Sequence, residues 1–387
     1  MARDFDIAIY GASGFTGKLV AEYLAGLAKT DPTLRLALAG RDAAKLAAVN
    51  AEIGADFPIV VADSGAQGAL ADLARRSRVV LTTVGPYQLY GSPLVAACVE
   101  AGTHYVDLCG ETTWMRAMID GHESQARLTG ARIVFSCGFD SIPFDFGVAY
   151  LQAEAQRRFG APCARVKGRV RKMKGTFSGG TAASFRASMA AAAKDPAVLA
   201  LMRDPFSLTP GFSGPKQPSG NKPEYDEQLG VWSAPFIMAA INTRNVHRSN
   251  FLTGHAYGAN FLYDEMIIAG PGEKGEAVAK AIAASAGEMA GEKGPKPGEG
   301  PSREERESGF YDLLFVGVGP NGERLDVSVK GDRDPGYGST SKMISQCALA
   351  LTEAEGPGGI LTPVAAFGVG FTERLARAGL TFAVERG

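Results

Sequence analysis

The sequence predicts an α/β fold with a doubly wound parallel sheet over residues 1–145, followed by an α+β domain over residues 146–337. Two observations lead to this prediction. Short uncharged apolar runs alternate with helical patterns along the first part of the chain. The second part lacks that alternation and contains a hairpin pattern instead. Alternating strands and helices form a parallel sheet with right-handed crossovers and helices on both faces.

The predicted strands of the first domain are apolar runs at residues 7–10, 34–40, 57–63, 78–86, 104–110 and 132–138. Helical patterns separate them, for example at residues 43–53, 68–77, 92–102 and 112–130. Ser92 and Pro93 are typical of the first positions of a helix. Together these elements indicate the dinucleotide-binding, or Rossmann, fold, which binds ligands beyond the carboxyl ends of its strands.

The second domain is expected to contain a largely antiparallel sheet. Residues 164–180 alternate small or apolar with basic residues, which indicates a strand with one wet face. Residues 258–270 are a further strand. Residues 309–332 form a hairpin whose turn contains the sequence Pro-Asn-Gly.

The remaining segments are assigned from their composition. Residues 208–225 and 291–309 are poor in core-forming residues and are expected to be mobile loops, the first a candidate lid. An amphipathic helix is predicted over residues 337–353. The C-terminal segment, about 338–387, is expected to pack back on the first domain.

A glycine-rich segment follows the first strand directly and leads into a helix whose apolar residues recur every fourth position. Free backbone N–H groups and the helix dipole at such a helix start form an anion site. The G-x-x-G-x-x-G spacing is a looser relative of the dinucleotide fingerprint, and an ordinary turn is the structural alternative. The residues expected to hold the pyrophosphate of a cofactor are Gly11, Ala12, Ser13, Gly14, Phe15, Thr16 and Gly17.

Residues after the second and third strands bear on the choice of cofactor. Arg41 stands where an NAD-specific domain usually has an acid, and a guanidinium there can pair with a 2′-phosphate and stack on adenine. Asp42 follows it and keeps NAD open, and the alternative for Arg41 is a solvated position at a helix start. Asp63 has two readings, a contact to the adenine amine or a helix cap. NADP is therefore predicted ahead of NAD.

The ends of the fourth, fifth and sixth strands are expected to lie near the nicotinamide. Candidate cofactor contacts there are Val84, Gly85, Pro86, Cys109, Gly110 and Glu111. Candidate acids or hydrogen-bond donors are Tyr87, Tyr90, Asp140 and Ser141. A buried carboxylate in such a cleft can have a raised pKa and act as an acid.

Each of these acids and thiols also has a structural alternative. Glu111, Asp140 and Asp107 can instead bond backbone N–H groups and hold the cleft in shape, and this structural role is favoured for Asp107. Cys109 and Cys137 follow neighbouring strands, where small buried fillers are expected rather than a reactive pair.

Composition excludes several classes of function. Lys and Arg total 40 against 41 acids, a net charge of −1, so no nucleic-acid partner is predicted. No apolar run is long enough for a transmembrane segment, and peripheral membrane contact stays open. Five cysteines without a C-x-x-C motif and four scattered histidines predict reduced thiols, a cytoplasmic location and no metal site.

Several strings together resemble the saccharopine dehydrogenase-like oxidoreductases, and most of all their trans-acting enoyl reductase branch. The strings run nearly from end to end of the chain and are YGASGFTG, AGR, TTVGPYQLYGSPLVAACVEAGTHYVDLCGE, CGFDSIPFDFG, SGGTAASF, APFIMAAINTRNVHRSN and DPGYGSTSKM. The resemblance implies an NADP-type Rossmann domain and an α+β domain that also helps to form dimers. It further implies NADPH-dependent reduction, and the branch is known from bacterial lipid and polyketide assembly.

Three functions are compatible with this resemblance. The favoured one is enoyl reduction of a small-molecule or carrier-bound acyl substrate by a homodimer. Such an enzyme needs a hydride from NADPH, a proton donor and an apolar trough, for which Phe139, Phe144 and residues 235–238 are candidates. The other two are a saccharopine-type imine or amino-acid reductase and a non-catalytic, lipid- or membrane-associated cofactor-binding partner protein.

The imine reductase would have to hold several carboxylates. Arg244 and Arg248 are the candidate substrate-binding cations. Their four-residue spacing also fits the solvated face of a helix, so both readings stay open.

Overall fold

The computed structural model describes residues 3–175, 179–285, 300–353 and 355–386. The strands, in chain order, are β1 (Phe5–Tyr10), β2 (Leu36–Gly40), β3 (Ile59–Val61), β4 (Ser77–Thr82), β5 (His104–Val106), β6 (Arg132–Val134), β7 (Arg165–Lys174), β8 (Glu224–Asp226), β9 (Val231–Pro235), β10 (Leu262–Gly270), β11 (Phe310–Val318), β12 (Arg324–Gly331), β13 (Gly359–Leu361) and β14 (Leu380–Arg386).

The helices are α1 (Phe15–Ala28), α2 (Ala43–Ile53), α3 (Gln67–Arg76), α4 (Tyr87–Tyr90), α5 (Ser92–Ala101), α6 (Thr112–Thr129), α7 (Ile142–Phe159), α8 (Gly179–Lys194), α9 (Pro196–Arg203), α10 (Ala239–Leu252), α11 (Gly272–Ser285), α12 (Arg303–Ser308), α13 (Thr340–Glu353), α14 (Pro363–Phe367) and α15 (Phe371–Arg377). A short π-helical turn, Pro335–Ser339, leads into α13. None of the helices in the described ranges combines the length and the apolar character that a bilayer crossing requires.

The first sheet has seven strands in the order β13-β6-β5-β4-β1-β2-β3, and every neighbouring pair is parallel. The predicted doubly wound fold is therefore confirmed. Ile7 and Ala8 of β1 point to opposite faces of the sheet and are both fully buried, as expected for an apolar strand covered by helices on both faces. The seventh strand, β13, comes from the C-terminal part of the chain and was not predicted.

The second sheet has the order β14-β12-β11-β7-β10-β9-β8. Only β7 and β10 are parallel neighbours, and the other pairs are antiparallel. The predicted hairpin of β11 and β12 is present, with Gly322 in the left-handed region at φ +84°. The expected antiparallel domain is thus confirmed as a fold class.

Helix α7 packs against the second sheet across the expected domain boundary at residue 145. A Cβ atom on Gly147 would lie 2.3 Å from the Phe315 ring, so glycine lets α7 pack closely against β11. The division of the chain into domains stays a prediction. The C-terminal segment needs one correction: β13 joins the first sheet, whereas β14 pairs with β12 at the edge of the second.

Strand β7 lacks the wet basic face that its alternation predicted. Arg169 is 1% exposed, and its guanidinium donates to Asp264 at 2.8 Å and to Asp226 at 3.3 Å. The expectation failed over residues 165–169 because carboxylates from β8 and β10 pair with the basic side chains there, so those charges are largely buried instead of solvated. Residues 176–178 of the predicted strand lie outside the described residues.

The segment 208–225 contacts the second domain, and its assignment as a mobile loop or lid stays a prediction. The side chain of Gln217 donates to the Phe261 carbonyl oxygen at 3.1 Å and accepts from the Tyr263 N–H at 3.0 Å. Leu208 is fully buried. Of the second predicted loop, residues 291–299 lie outside the described residues, and residues 303–308 form α12, which begins with a capping box of Ser302 and Glu305.

Candidate active site

The glycine segment between β1 and α1 forms a cradle that only glycine can build. Gly11 has φ +88°, and a Cβ atom there would lie 2.6 Å from Cγ2 of Val84. Gly17 packs directly against the backbone of Gly11 and Ala12. Gly14 is the N-cap of α1, and no side chain caps that helix start. The first N–H groups of α1 are therefore available to an anion, and the cradle fits a dinucleotide pyrophosphate.

The other residues of the segment have different surroundings. Ala12 is fully buried in the core, and Ser13 lies near Gly40 at the end of β2. The Phe15 ring packs edge-on against Tyr337, with ring centroids 4.8 Å apart, and the Arg306 guanidinium lies 5.6 Å from it. The π-helical turn and α12 therefore pack on the Phe15 side chain.

The ends of β2 and β3 present Arg41 and Asp63 to solvent. Both lie near Tyr10, where burial raises the pKa of the hydroxyl to about 12, with Asp63 adding to the rise and Arg41 opposing it. Asp63 accepts from the Gly65 N–H at 2.8 Å within its own turn. Asp42 is the N-cap of α2 and accepts from the Lys45 N–H at 3.1 Å. Arg41 has no ion pair among the described residues, so its guanidinium can donate hydrogen bonds to a phosphate.

Glu111 organises the turn that follows β4. Its Oε1 accepts from the Tyr87 N–H at 2.9 Å and from the Ser184 hydroxyl at 2.7 Å, and its Oε2 accepts from the Gln88 N–H at 2.8 Å. This is the cleft-shaping geometry that sequence analysis gave as one alternative. Ser184 of α8 was not among the predicted site residues. It also lies near Gly85, because a Cβ atom on Gly85 would be 3.9 Å from the Oγ of Ser184.

The two tyrosines of α4 differ in environment. Tyr87 is 5% exposed, and its hydroxyl oxygen accepts from the Leu108 N–H at 3.1 Å. Burial raises the pKa of this hydroxyl well above its usual value, with Asp107 and Cys109 adding to the rise. Tyr90 is 43% exposed at the surface. The structure therefore separates these candidates, because Tyr87 is part of the loop scaffold and Tyr90 faces solvent.

Asp107 and the cysteines are parts of the interior. Asp107 accepts from the N–H groups of Cys109 and Ser136, both at 3.0 Å, and from the Tyr105 hydroxyl at 2.9 Å. Cys109 and Cys137 are fully buried, and burial raises the pKa of both thiols well above its usual value. These features agree with the predicted structural roles, since the thiolate form is disfavoured.

Asp140 and Ser141 follow β6, at the carboxyl edge of the first sheet. Burial raises the pKa of the Asp140 carboxyl to about 7. Its Oδ1 is buried and has no hydrogen-bond partner among the described residues. Ser141 is the N-cap of α7, and its hydroxyl accepts from Nδ2 of Asn245 at 2.8 Å. A carboxyl that is partly protonated at neutral pH and has a free oxygen can act as a general acid.

A polar cluster beside Asp140 was missed by sequence analysis. It consists of Asn242 and Asn245 of α10 and Glu265 and Tyr263 of β10. Glu265 accepts from Nδ2 of Asn242 and from the Tyr263 hydroxyl, each at 2.9 Å. The available signals in the sequence were two amides three residues apart and an acid inside an apolar strand.

Arg244 and Arg248 are not brought to the cleft as free cations. Both are buried, Arg244 donating to the carbonyl oxygens of Ala240 and Met202, and Arg248 to those of Leu208 and Ile360. Their burial excludes the solvated helix face, because α10 lies inside the protein. Their role as substrate-binding cations stays a prediction, and the bonds to backbone carbonyls do not favour it.

The proposed apolar trough also needs correction. Phe139 and Phe144 are buried, with ring centroids 5.4 Å apart. Phe144 also packs on Phe236, at 5.6 Å. These rings fill the core between the sheets, so they do not line an open groove.

Comparison with known proteins places this arrangement in a family. Residues 7–134 match the saccharopine dehydrogenase NADP-binding domain. A Mycobacterium tuberculosis protein provisionally named as a trans-acting enoyl reductase is 40% identical over 99% of this chain and 98% of its own length. The trans-acting enoyl reductase of Mycobacterium ulcerans is 37% identical over 99% of this chain and 98% of its own.

Solved structures share the fold at low sequence identity. Apo saccharopine dehydrogenase (L-Glu forming) from Saccharomyces cerevisiae aligns over 98% of this chain and 99% of its own, with a TM-score of 0.55 and 10% identity. Homospermidine synthase from Legionella pneumophila in complex with NAD aligns over 99% and 92%, with a TM-score of 0.51 and 10% identity. The chain belongs to the trans-acting enoyl reductase branch of the saccharopine dehydrogenase-like oxidoreductases.

Proposed function

We propose that this oxidoreductase uses NADPH to reduce the carbon–carbon double bond of an acyl thioester. The observation that carries the proposal is the Asp140 carboxyl, which stands at the carboxyl edge of the parallel sheet with a buried, unpartnered Oδ1. Reduction of an enoyl group needs a proton donor beside the cofactor, and the raised pKa of Asp140 supports that role.

The cofactor would be held by residues at the ends of β1 and β2. The N–H groups of the cradle from Gly11 to Gly17 would bind the pyrophosphate, and Arg41 would bind the 2′-phosphate. The Asp42 carboxylate already accepts a hydrogen bond as the cap of α2, so it is less available to bind the ribose hydroxyls of NADH. This supports NADPH over NADH. When bound, NADPH supplies the hydride.

Asp140 would complete the reduction by protonating the carbon next to the thioester carbonyl. In this step the carboxyl O–H bond breaks, a C–H bond forms, and Asp140 remains as a carboxylate that solvent reprotonates. The Ser141 hydroxyl accepts from Nδ2 of Asn245, and its own hydrogen would be donated to the thioester oxygen. The exposed side chains of Leu89 and Tyr90 would guide the acyl chain at the surface.

The imine reductase is less well supported. It needs cations for the carboxylates of an amino-dicarboxylate, and Arg244 and Arg248 already bond backbone carbonyls. A homodimer, a cytoplasmic location and a role in lipid metabolism stay predictions, as does peripheral membrane contact.

The test is NADPH oxidation by the purified protein with trans-2-enoyl thioesters of short and long chain, on coenzyme A and on carrier protein. We expect turnover with the wild type and a loss of about a hundredfold in kcat for Asp140→Asn, with NADPH affinity unchanged. Asp120→Asn, at an exposed carboxylate of α6, is the matched control. NADPH binding without turnover on any of these substrates would contradict the proposal.

A further inference from the structure

We propose that Ser184 of α8 is a positioning residue for the cofactor, and that its hydroxyl oxygen accepts a hydrogen bond from the carboxamide NH2 of the nicotinamide. The inference rests on the proposed function, in which NADPH binds at the carboxyl edge of the first sheet. It supplies a side-chain hydrogen bond at the nicotinamide end, where the side chains of the candidate contacts Val84, Gly85 and Pro86 offer none.

The strand order of the first sheet indicates which end of the cofactor lies beside α8. The order reverses between β1 and β4, and a dinucleotide crosses such a switch point. Arg41 would hold the 2′-phosphate on the β2 side, so the nicotinamide would lie on the β4 side. The cradle touches the end of β4, because a Cβ atom on Gly11 would lie 2.6 Å from Cγ2 of Val84. The turn that follows Val84 is therefore next to the cradle, on the nicotinamide side.

Gly85 of this turn brings the Ser184 hydroxyl to the same place. A Cβ atom on Gly85 would be 3.9 Å from the Ser184 Oγ, and Gly85 itself is exposed. A side chain at position 85 would therefore contact the hydroxyl, whereas glycine leaves that space to a ligand.

Glu111 fixes the direction of the Ser184 O–H bond. The hydroxyl donates to Oε1 of Glu111 at 2.7 Å, and a carboxylate oxygen only accepts. Glu111 is 3% exposed and is itself held by the N–H groups of Tyr87 and Gln88. Because a serine hydroxyl has a single hydrogen, Ser184 presents only its lone pairs to a ligand.

A hydroxyl in this state selects a ligand that carries a hydrogen-bond donor. The carboxamide NH2 of nicotinamide is such a donor, whereas phosphate oxygens and the carbonyl oxygen of a thioester accept. The pantetheine arm of a coenzyme A thioester also carries N–H groups, but the position of Ser184 beside the cradle favours the nicotinamide. A ring held at its carboxamide cannot turn about its glycosidic bond, so the same face of the ring would meet the substrate in every cycle.

The experiment measures binding, so it does not depend on turnover. Calorimetry gives the dissociation constants of NADPH and of its reduced 3-acetylpyridine analogue, in which a methyl group replaces the carboxamide NH2. We expect the wild type to bind NADPH about fivefold more tightly than the analogue, and Ser184→Ala to bind the two with similar affinity. Ser285→Ala is the matched control, because Ser285 is also a helical serine with a bonded hydroxyl, and it should keep the wild-type ratio.

The ratio of the two affinities separates positioning of the cofactor from support of the fold. A wild-type ratio in Ser184→Ala, whether or not both affinities fall, would overturn the inference. A raised KM for a coenzyme A thioester at unchanged NADPH affinity would also overturn it and would assign the hydroxyl to the pantetheine arm. Absence of wild-type turnover together with the expected ratios would count against the proposed function and leave the role of Ser184 supported.

Discussion

A Cβ atom on Gly17 would lie 2.1 Å from the carbonyl oxygen of Gly11, so the start of α1 and the end of β1 touch backbone to backbone. That distance is far inside van der Waals contact, and no rotation of a side chain can relieve it. The cradle therefore depends on glycine at position 17 for a steric reason, independent of any turn conformation. This contact fixes the direction in which the N–H groups of α1 point.

Gly17→Ala is expected to weaken NADPH binding at least about tenfold, because the methyl group must push α1 away from the strand. The dissociation constant can be measured by quenching of NADPH fluorescence. Gly26→Ala is the matched control on the same helix, since a Cβ atom there meets nothing within 4 Å. Equal affinity of the two variants would contradict the assignment of the cradle to the pyrophosphate.

Arg41→Ala is expected to weaken NADPH binding by about 1–2 kcal/mol and to leave NADH binding nearly unchanged. The reason is that only NADPH carries the 2′-phosphate that the guanidinium would bind. Lys45→Ala, an exposed cation one turn into α2, controls for the loss of charge. If NADPH and NADH lose affinity equally in the Arg41 variant, the cofactor preference has another source.

Arg248→Met is expected to lower stability while leaving KM for the substrate unchanged. The variant removes the donors to the Leu208 and Ile360 carbonyl oxygens, which costs about 1–3 kcal/mol for each group left unpaired. The melting temperature should fall by several degrees, and Arg75→Met, at an exposed ion pair, should change it little. A raised KM at unchanged melting temperature would restore Arg248 as a substrate-binding residue.

The melting temperature is expected to fall between about pH 5 and about pH 8. Burial raises the pKa of Asp107, Asp140 and Asp145 to about 7 and of Glu265 to about 8. The folded state therefore binds more protons than the unfolded state in this range, and stability is lost as pH rises through these folded-state values. Glu265→Gln should flatten the fall, since its amide does not ionise. A wild-type melting temperature independent of pH would contradict the raised pKa values.

Much of the first sheet was predictable because its signals are local. The apolar run of β1, the glycines after it and the four-residue periodicity of α1 each depend on a few neighbouring residues. Strand β3 and the hairpin of β11 and β12 were predicted from local signals in the same way. The short strand β13 gave no such signal, because three residues at a sheet edge are defined by their partner β6.

The candidate site was only partly predictable. Asp140 was found because a residue after a strand of a parallel sheet lies at the ligand edge. Glu265 was not, because its hydrogen bond with Asn242 joins a strand to a helix 23 residues away in the sequence. The burial of Arg244 and Arg248 was missed for the same reason, since no local pattern in "NTRNVHRSN" indicates that α10 is buried.

The sequence by itself determined the fold class, the glycine cradle and the position of Arg41, because backbone sterics and hydrophobic periodicity act over a few residues. Only the tertiary structure decided which charges are solvated and which are buried. Burial depends on what the two sheets bring against each side chain, and burial is what turns an arginine into a structural donor and a carboxyl into a proton source.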